Sequence, residues 1–336
     1  MANAANSYTL ADYALNSNSP IVQKITYSLL DNGSVMQDMT FRTYKSMIAN
    51  GTRFLGSLAG VNYRALNDVP SVVKSVPTPY QESAYILSNT FAIDKKILED
   101  QNQIQDPWTV QLGAYTKAVA YDTNDKFINN EHVTGDKNAP IGLRARLDNA
   151  AVYGIPTEMK FAAGGSTIDI SAGANGDGIL ESIQQALDIM AAPDGTGVIM
   201  YMNELTRRKV DRAVKKLGTT GGFNVSQDQF NRRVMQYNGA IVRTIGRKAD
   251  QTTQIITSSE TTAGANGASN YSSIYFVKFG EEHIAPWQFD TFENSVIGPY
   301  LLTAGGVQMA LTVDWAWGLF QSDVRAVARI YGIKTS

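Results

Sequence analysis

No regular pattern in residues 44–90 lets that stretch bury itself against the rest of the chain. Two strand-like runs, GTRFLGSLAGVNYRAL and PSVVKSVPTPYQESAYILSNTFAI, are broken by Pro70, Pro77 and Pro79. Proline cannot donate to a sheet ladder, so such strands belong at edges. Helix formers do not group here either. Residues 44–90 therefore read as an extended, two-stranded loop. A lone hairpin is marginal in water and needs a surface to lie on. Its cations Arg53, Arg64 and Lys74 are spread along it rather than clustered. That distribution suits acids on an adjacent subunit better than a phosphate pocket.

Residues 1–43 read as an arm, with short helices expected at TLADYA and SPIVQKITYSLLDNG. In the second, Ser19 is the N-cap, Pro20 takes the first helical position and Gly33 closes the helix. Ile21, Ile25 and Leu29 form a narrow apolar stripe at helical spacing. A short amphipathic helix is marginal alone, so these three residues are candidate contacts to a neighbour. Removing residues 1–36 is expected to leave a folded body that assembles poorly.

The clearest helix is DPWTVQLGAYTKAVAYDTNDKFINN, with Asp106 as cap and Pro107 as first residue. Trp108, Leu112, Tyr115 and Val119 mark one face, and its length is about 35 Å. Strand-like GIPTEMKFAA and STIDIS follow. The next helix, DGILESIQQALDIMAA, carries Ile179, Ile183, Leu187 and Met190 on one side, with Asp177 as its expected cap. TGVIMYMN is a short, continuously apolar, buried strand. NELTRRKVDRAVKKLG is a basic helix capped by Asn203. SQDQFNRRVMQYN is expected to be helical, and GAIVRTIG, QIITSS and SSIYFVKFG to be strands. SSETTAGANGASNYSS reads as a surface loop. Near the end, Met309, Leu311, Val313, Trp315 and Trp317 alternate with Ala310, Thr312, Asp314 and Ala316, a strand with one strongly buried face.

A chain of 336 residues has room for one large domain or two smaller ones with real cores. It contains no cysteine, which excludes disulfides, thiolate metal sites and cysteine nucleophiles. No apolar run approaches the ~18 residues of a membrane span, and the N-terminus lacks the pattern of a signal peptide. Formal net charge is −2, from 29 basic and 31 acidic residues, which gives no support to whole-protein electrostatic binding of nucleic acid.

The chemical motifs are nearly absent. DTNDKFINNEHV begins like a calcium loop, but Lys126 and Phe127 occupy a ligand position and the turn-glycine position. His132 and His283 are the only histidines, and neither has a second one at helical spacing. STIDISAGANGDGILES resembles a strand–glycine–helix nucleotide turn, yet the third glycine is missing and Glu181 would repel pyrophosphate. The helix at 204–217 carries Arg207, Arg208, Lys209, Arg212, Lys215 and Lys216 against Glu204 and Asp211. Without interleaved aromatics it reads as a solvated face or as a contact to acids on a neighbour. No catalytic, metal or cofactor site is assigned.

What remains is an arm, an extended loop and a body, in an order that resembles a known family. TLADYALNSNSPIVQKITYSLLDNGSVMQDMTFRT resembles the N-terminal arm of tailed-bacteriophage major capsid proteins. GVNYRALND followed by SAYILSNTFAIDKKI is similar to the strands of their extended loop. DKFINN, a polar loop and GLRARL resemble the segment after the family's long spine helix. GTGVIMYMNELTRRKVDRAV is similar to a strand, turn and helix of its axial domain, and DWAWGLFQSDVRAVARIYGI to its closing strand.

The resemblance implies an α+β chain with the HK97-like capsid fold. It implies an arm at 1–43, an extended β-hairpin loop at 44–90, and a peripheral domain at 91–177 around the spine helix 107–130. An axial domain at 178–299 and a C-terminal return to the peripheral domain at 300–336 complete it. Residues 127–147 then join the spine helix to the body, with Phe127 and Ile128 anchoring the helix end. Arg144 and Arg146 would be available to acids on another subunit.

The implied function is structural: self-assembly into pentamers and hexamers of an icosahedral shell around double-stranded DNA, in a virion assembled in the host cytoplasm. A separate scaffolding protein and a portal are expected partners, with no cofactor and no membrane. The start at Met1 with a short arm underlies the expectation of a separate scaffold. Crosslinking of Lys74 to an asparagine such as Asn294 is not expected, because nothing identifies a catalytic glutamate. The alternatives are an encapsulin-like compartment, a nucleic-acid-binding protein using helix 204–217, and, third, an enzyme.

Overall fold

The structure is a computed structural model that describes residues 34–53, 60–99, 106–216, 224–227, 233–265, 267, 269–292, 294–303 and 306–336. Elements are numbered along those residues. The expected helices of the arm, with Ile21, Ile25 and Leu29, lie outside them.

The described part of the arm is built into the body. Helix α1 (Ser34–Asp38) places Val35 and Met36, together with Met39, in the core. Strand β1 (Arg42–Thr43) runs parallel to a later strand, residues 284–288. Two edge strands follow, β2 (Ile48–Arg53) and β3 (Thr78–Ser83), paired antiparallel from Ile48–Ser83 to Arg53–Thr78. Strand β4 (Tyr85–Asp94) returns to the body and leads into the short helix α2 (Lys95–Glu99).

Helix α3 (Pro107–Asn129) starts where its signals place it: the Asp106 carboxylate accepts the Thr109 amide at 3.0 Å, and Pro107 is the first residue. Leu112, Val119, Ala120, Phe127 and Ile128 are buried. The chain continues through α4 (Leu143–Asp148), α5 (Ala150–Tyr153) and the short strands β5 (Lys160–Ala162) and β6 (Ile168–Asp169). Helix α6 (Gly176–Ile189), the fully buried strand β7 (Val198–Met202) and helix α7 (Glu204–Lys216) follow as the periodicity predicts. Asn203 caps α7 by accepting the Thr206 amide at 2.6 Å. The expected cap of α6 is corrected: Asn175, in the left-handed region at φ 55°, holds that position, and Asp177 lies inside the first turn.

The expected helix over SQDQFNRRVMQYN is also corrected. Residues 224–227 form β8 and 233–237 form β9, antiparallel to each other. Strand β10 (Ala240–Thr244) pairs with β9 from Ala240–Tyr237 onward. Asn238 and Gly239, at φ 45° and 82°, make the two-residue turn between them. Asn-Gly between two runs is a strong hairpin signal, and it commits 233–237 to pairing rather than to a helix. QIITSS is not a strand: Arg247 bridges Gln254, while Ile255 and Ile256 plug the core. The remaining strands are β11 (Tyr271–Lys278), β12 (Ile284–Gln288), β13 (Val296–Leu301), β14 (Gln308–Gln321) and β15 (Val327–Lys334).

These strands form two large sheets. In the first, β14 is central: β4 pairs along one side, β13 and β12 share the other, and β1 extends from β12. Leu311, Val313, Trp315, Trp317 and Leu319 face the core, and Asp314 faces out. The second has the order β5-β15-β11-β7-β10-β9-β8, with β6 also on β15. The C-terminal stretch therefore divides: β14 lies in the first sheet, whereas β15 lies in the second beside β11 and does not follow β14. The reason is its apolarity: Val327, Ala328, Ile330 and Ile333 are fully buried, which only a covered central strand provides.

Helix α3 ties the sheets together. Near its start, Tyr115 meets Phe91 of β4 edge to face at 5.0 Å between ring centroids. Near its end, Phe127 meets Tyr201 of β7 at 6.1 Å and stacks on Phe279 at 5.9 Å. Just past that end, the Asn130 side-chain amide donates to the carbonyls of Asp136 and Pro140, each at 2.9 Å, and its oxygen accepts the Asp136 amide at 3.0 Å. One side chain thus shapes the polar loop that turns the chain toward α4.

Candidate functional site

The part of the fold least able to satisfy itself is the segment between β2 and β3. Val61, Tyr63, Leu66, Val69 and Val72 are each at least 83% exposed. Single exposed apolar residues are ordinary, but a contiguous set marks a contact surface. The tip has local shape. Arg64 donates to the Asp68 carbonyl at 3.1 Å, Asn62 donates to the Ser71 hydroxyl at 2.8 Å, and a shallow concavity lies between 60–64 and 68–73. Arg64 and Lys74 are exposed along it.

A second exposed surface, of mixed polarity, lies on the outward face of the first sheet. Ile86 and Ile297 flank Ala316 and Thr312 on that face and are 57% and 52% exposed. The hydroxyls of Thr90 and Tyr300 meet that of Thr312 at 2.8 and 2.7 Å. Asp314 is exposed beside them.

The root of the hairpin contrasts with its tip. Arg53 and Arg146 are 3% and 2% exposed. Arg146 donates to both oxygens of Glu82, at 2.7 and 2.5 Å, while Tyr80 donates its hydroxyl to the same carboxylate. Burial opposes the charge of Arg146, but Glu82 outweighs it and pushes its pKa up. Burial lowers that of Arg53 and raises that of Tyr80 to about 12. Arg144 is also committed within the chain: it pairs with Glu260 and donates to the Tyr275 hydroxyl at 3.2 Å. The reading of Arg53, Arg144 and Arg146 as contacts to other subunits is therefore revised: all three are buried against acids or carbonyls of their own chain. Arg64 and Lys74 remain presented at the surface.

The basic helix α7 is partly committed as well. Lys209 donates to the Ser171 carbonyl at 2.6 Å, Lys216 to the Ala172 carbonyl at 2.9 Å, and Lys215 pairs with Asp211 at 2.7 Å. The histidines stand apart: His132 Nε2 lies 2.9 Å from the Ala139 carbonyl, and His283 Nδ1 lies 3.2 Å from Asp323. Among the described residues no cluster of three or more histidine or acidic side chains is placed to hold a metal ion, and no helix is long and apolar enough to cross a membrane.

No family model and no curated protein sequence matches the chain. Solved structures do. The SrpI encapsulin of Synechococcus elongatus PCC 7942 is similar over 89% of this chain and 86% of its own, with TM-score 0.60 and 8% identity. The capsid of a native GTA particle is similar over 89% of each chain, with TM-score 0.53 and 14% identity. A structure of Mycobacterium phage Patience is similar over 94% of this chain and 87% of its own, with TM-score 0.53 and 12% identity.

The chain has the HK97-like capsid fold.

Within this HK97-like fold, sequence reasoning missed two clusters, and the more buried one surrounds Glu260. Glu260 sits in the stretch expected to be a surface loop, yet it is fully buried. It pairs with Arg144 and Arg329 and accepts the Ser273 hydroxyl. Arg329 also reaches Asp148 at 3.2 Å and donates to the Gly264 carbonyl. The network thus pins an irregular segment of the HK97-like fold to β11 and β15. The signal available was weak: one acid in a Gly/Ser/Thr-rich run, with its cations far away in sequence. Glu82, a partly buried acid, was hidden in the same way inside a stretch of exposed strand.

Proposed function

We propose that this chain is the subunit of a closed protein shell, a major capsid protein whose copies form pentamers and hexamers around double-stranded DNA. The observation that carries the reading is the apolar hairpin tip, exposed on a fold shared with capsids and an encapsulin. Stable interfaces bury about 800 Å² per partner, and a row of exposed valines, a leucine and a tyrosine supplies apolar area toward that. The tip is assigned to an adjacent subunit, with Arg64 and Lys74 placed to meet acids there. The first sheet with α3 serves as the peripheral body and the second, with α6 and α7, as the axial one. In this reading the chain has a structural role. A separate scaffolding protein and a portal are the partners expected of a capsid, and the assembled virion is its location.

Electron microscopy of the purified, self-associated protein tests this, with hydrogen exchange on dispersed and assembled subunits. Closed particles are expected, and residues 60–77 should exchange freely before assembly and be protected after it. Helix α3 should be protected in both states. Equal exchange of the tip in both states, or the absence of particles, would overturn the reading.

The encapsulin neighbour supports a second reading, a compartment for protein cargo. The two separate on contents: nucleic acid inside the purified particles supports the capsid, and protein cargo supports the compartment. A nucleic-acid-binding role for α7 is less favoured, because Lys209 and Lys216 are engaged by backbone carbonyls of their own chain.

The arm has its own test. Val35 and Met36 are core side chains, so a deletion through residue 36 removes part of the body. Deleting residues 1–33 spares them and is expected to give a folded, assembly-poor subunit. Closed particles of normal size from that variant would show that Ile21, Ile25 and Leu29 do not dock on a neighbour.

A further inference from the structure

The hairpin leaves the body through a root unlike the rest of it. Arg53 ends β2, and its guanidinium reaches three ways: Nε donates to the Gln321 carbonyl at 2.7 Å, Nη1 to the Tyr153 carbonyl at 2.9 Å, and Nη2 to Gln321 again. Its flat face lies 3.0 Å from the centroid of the Tyr80 ring. Glu82, two residues along β3 from Tyr80, takes the two-pronged grip of Arg146, whose Nε is held by the Ile141 carbonyl at 3.1 Å. Tyr80 also packs on Phe320 at 5.7 Å. Opposite Tyr80 in the ladder is Gly51, where a Cβ would collide with the Phe320 ring. Glycine there lets the end of β14 close directly onto the hairpin.

Arg146 grips the carboxylate directly, Arg53 lies 3.8 Å from it, and carbonyls of three separate segments accept further N–H groups of the two guanidinium groups. A planar guanidinium donates in fixed directions, and a bidentate pair fixes orientation as well as distance. A simple apolar contact would let the hairpin pivot, whereas this cluster specifies one angle. We infer that Glu82, Arg146 and Arg53 are positioning residues that set the direction in which the hairpin leaves the body and, given the shell reading above, the geometry at which copies join.

Glu82→Gln keeps the shape and removes the charge. In dispersed subunits the amides of 48–53 and 78–83 are expected to exchange at least about tenfold faster, and assembly is expected to yield particles of mixed size. Glu260→Gln is the control: it neutralises the other buried network, should loosen β11 and β15, and should leave hairpin exchange and particle size as in the unmodified protein. Should Glu82→Gln not fold, Arg53→Lys keeps the charge but cannot hold the Gln321 and Tyr153 carbonyls together, and it is expected to loosen the same amides. Unchanged hairpin exchange in the variant that folds overturns the inference. So does mixed particle size from Glu260→Gln, since general destabilisation would then explain the effect. If the unmodified protein forms no particles, the shell reading falls, while the exchange measurement on dispersed subunits still reads the clamp.

Discussion

Replacing Glu260 with alanine is expected to lower subunit stability by about 3–5 kcal/mol. The residue is fully buried and lies between Arg329, also fully buried, and Arg144. Removing the carboxylate leaves two guanidinium groups in the core with one acid near them, Asp148, which bonds Arg329 at 3.2 Å but is already paired with Lys160 at 2.6 Å. It also strips the Ser273 hydroxyl of its acceptor. The cost lies in stranding buried charge rather than in losing the pair's attraction. For the same reason it should change little with salt, because buried charges are poorly screened. Urea denaturation of dispersed subunits at low and high ionic strength would measure it. A loss under about 1 kcal/mol, the range of surface pairs, would show that water reaches the network.

Trp315→Ala is expected to cost about 3–5 kcal/mol by the same measurement. Trp315 is 1% exposed. It stacks on Trp317 at 5.8 Å and meets the rings of Phe41 and Phe292 edge to face, each at 5.5 Å. Its indole N–H donates to the Gln288 side chain at 3.1 Å. Truncation opens a cavity beneath β14 and orphans that acceptor. Trp315→Phe retains most of the packing and loses the hydrogen bond, so it should cost less. Unchanged stability in the alanine variant would mean that this face of β14 is not core.

The two predictions were unequally legible before the fold was known. Alternation along 309–317 marks Trp315 and Trp317 as buried, because a strand sends successive side chains to opposite faces whatever its partners are. Nothing comparable marks Glu260. Its partners Arg144 and Arg329 lie 116 and 69 residues away, and a single acid in a Gly/Ser/Thr run has the composition of a solvated loop. Glu82 and Arg146, separated by 64 residues, escaped for the same reason. Arg144 and Arg146 were visible as charges and were therefore assigned to the outside. Burial turned them inward, since guanidinium and carboxylate are tolerated inside only when paired and hydrogen-bonded.

The sequence by itself determined the features whose causes are local. Asp106 and Pro107 start α3, Asn203 starts α7, the apolar run 198–202 is a covered strand, and the prolines of 70–79 keep the hairpin at an edge. Each depends on a few neighbouring residues, so it can be read along the chain. The Asn238-Gly239 turn marks 233–237 as a hairpin strand locally, whereas tertiary structure alone decided that 224–227 is a strand and that this ladder continues from β7 through β10. It alone brought β15 beside β11, drew Val35 and Met36 from the arm into the core, and closed two ion networks around Glu82 and Glu260. Those outcomes depend on which distant segments meet, and the desolvation that makes them stabilising or costly exists only once the chain has folded around them.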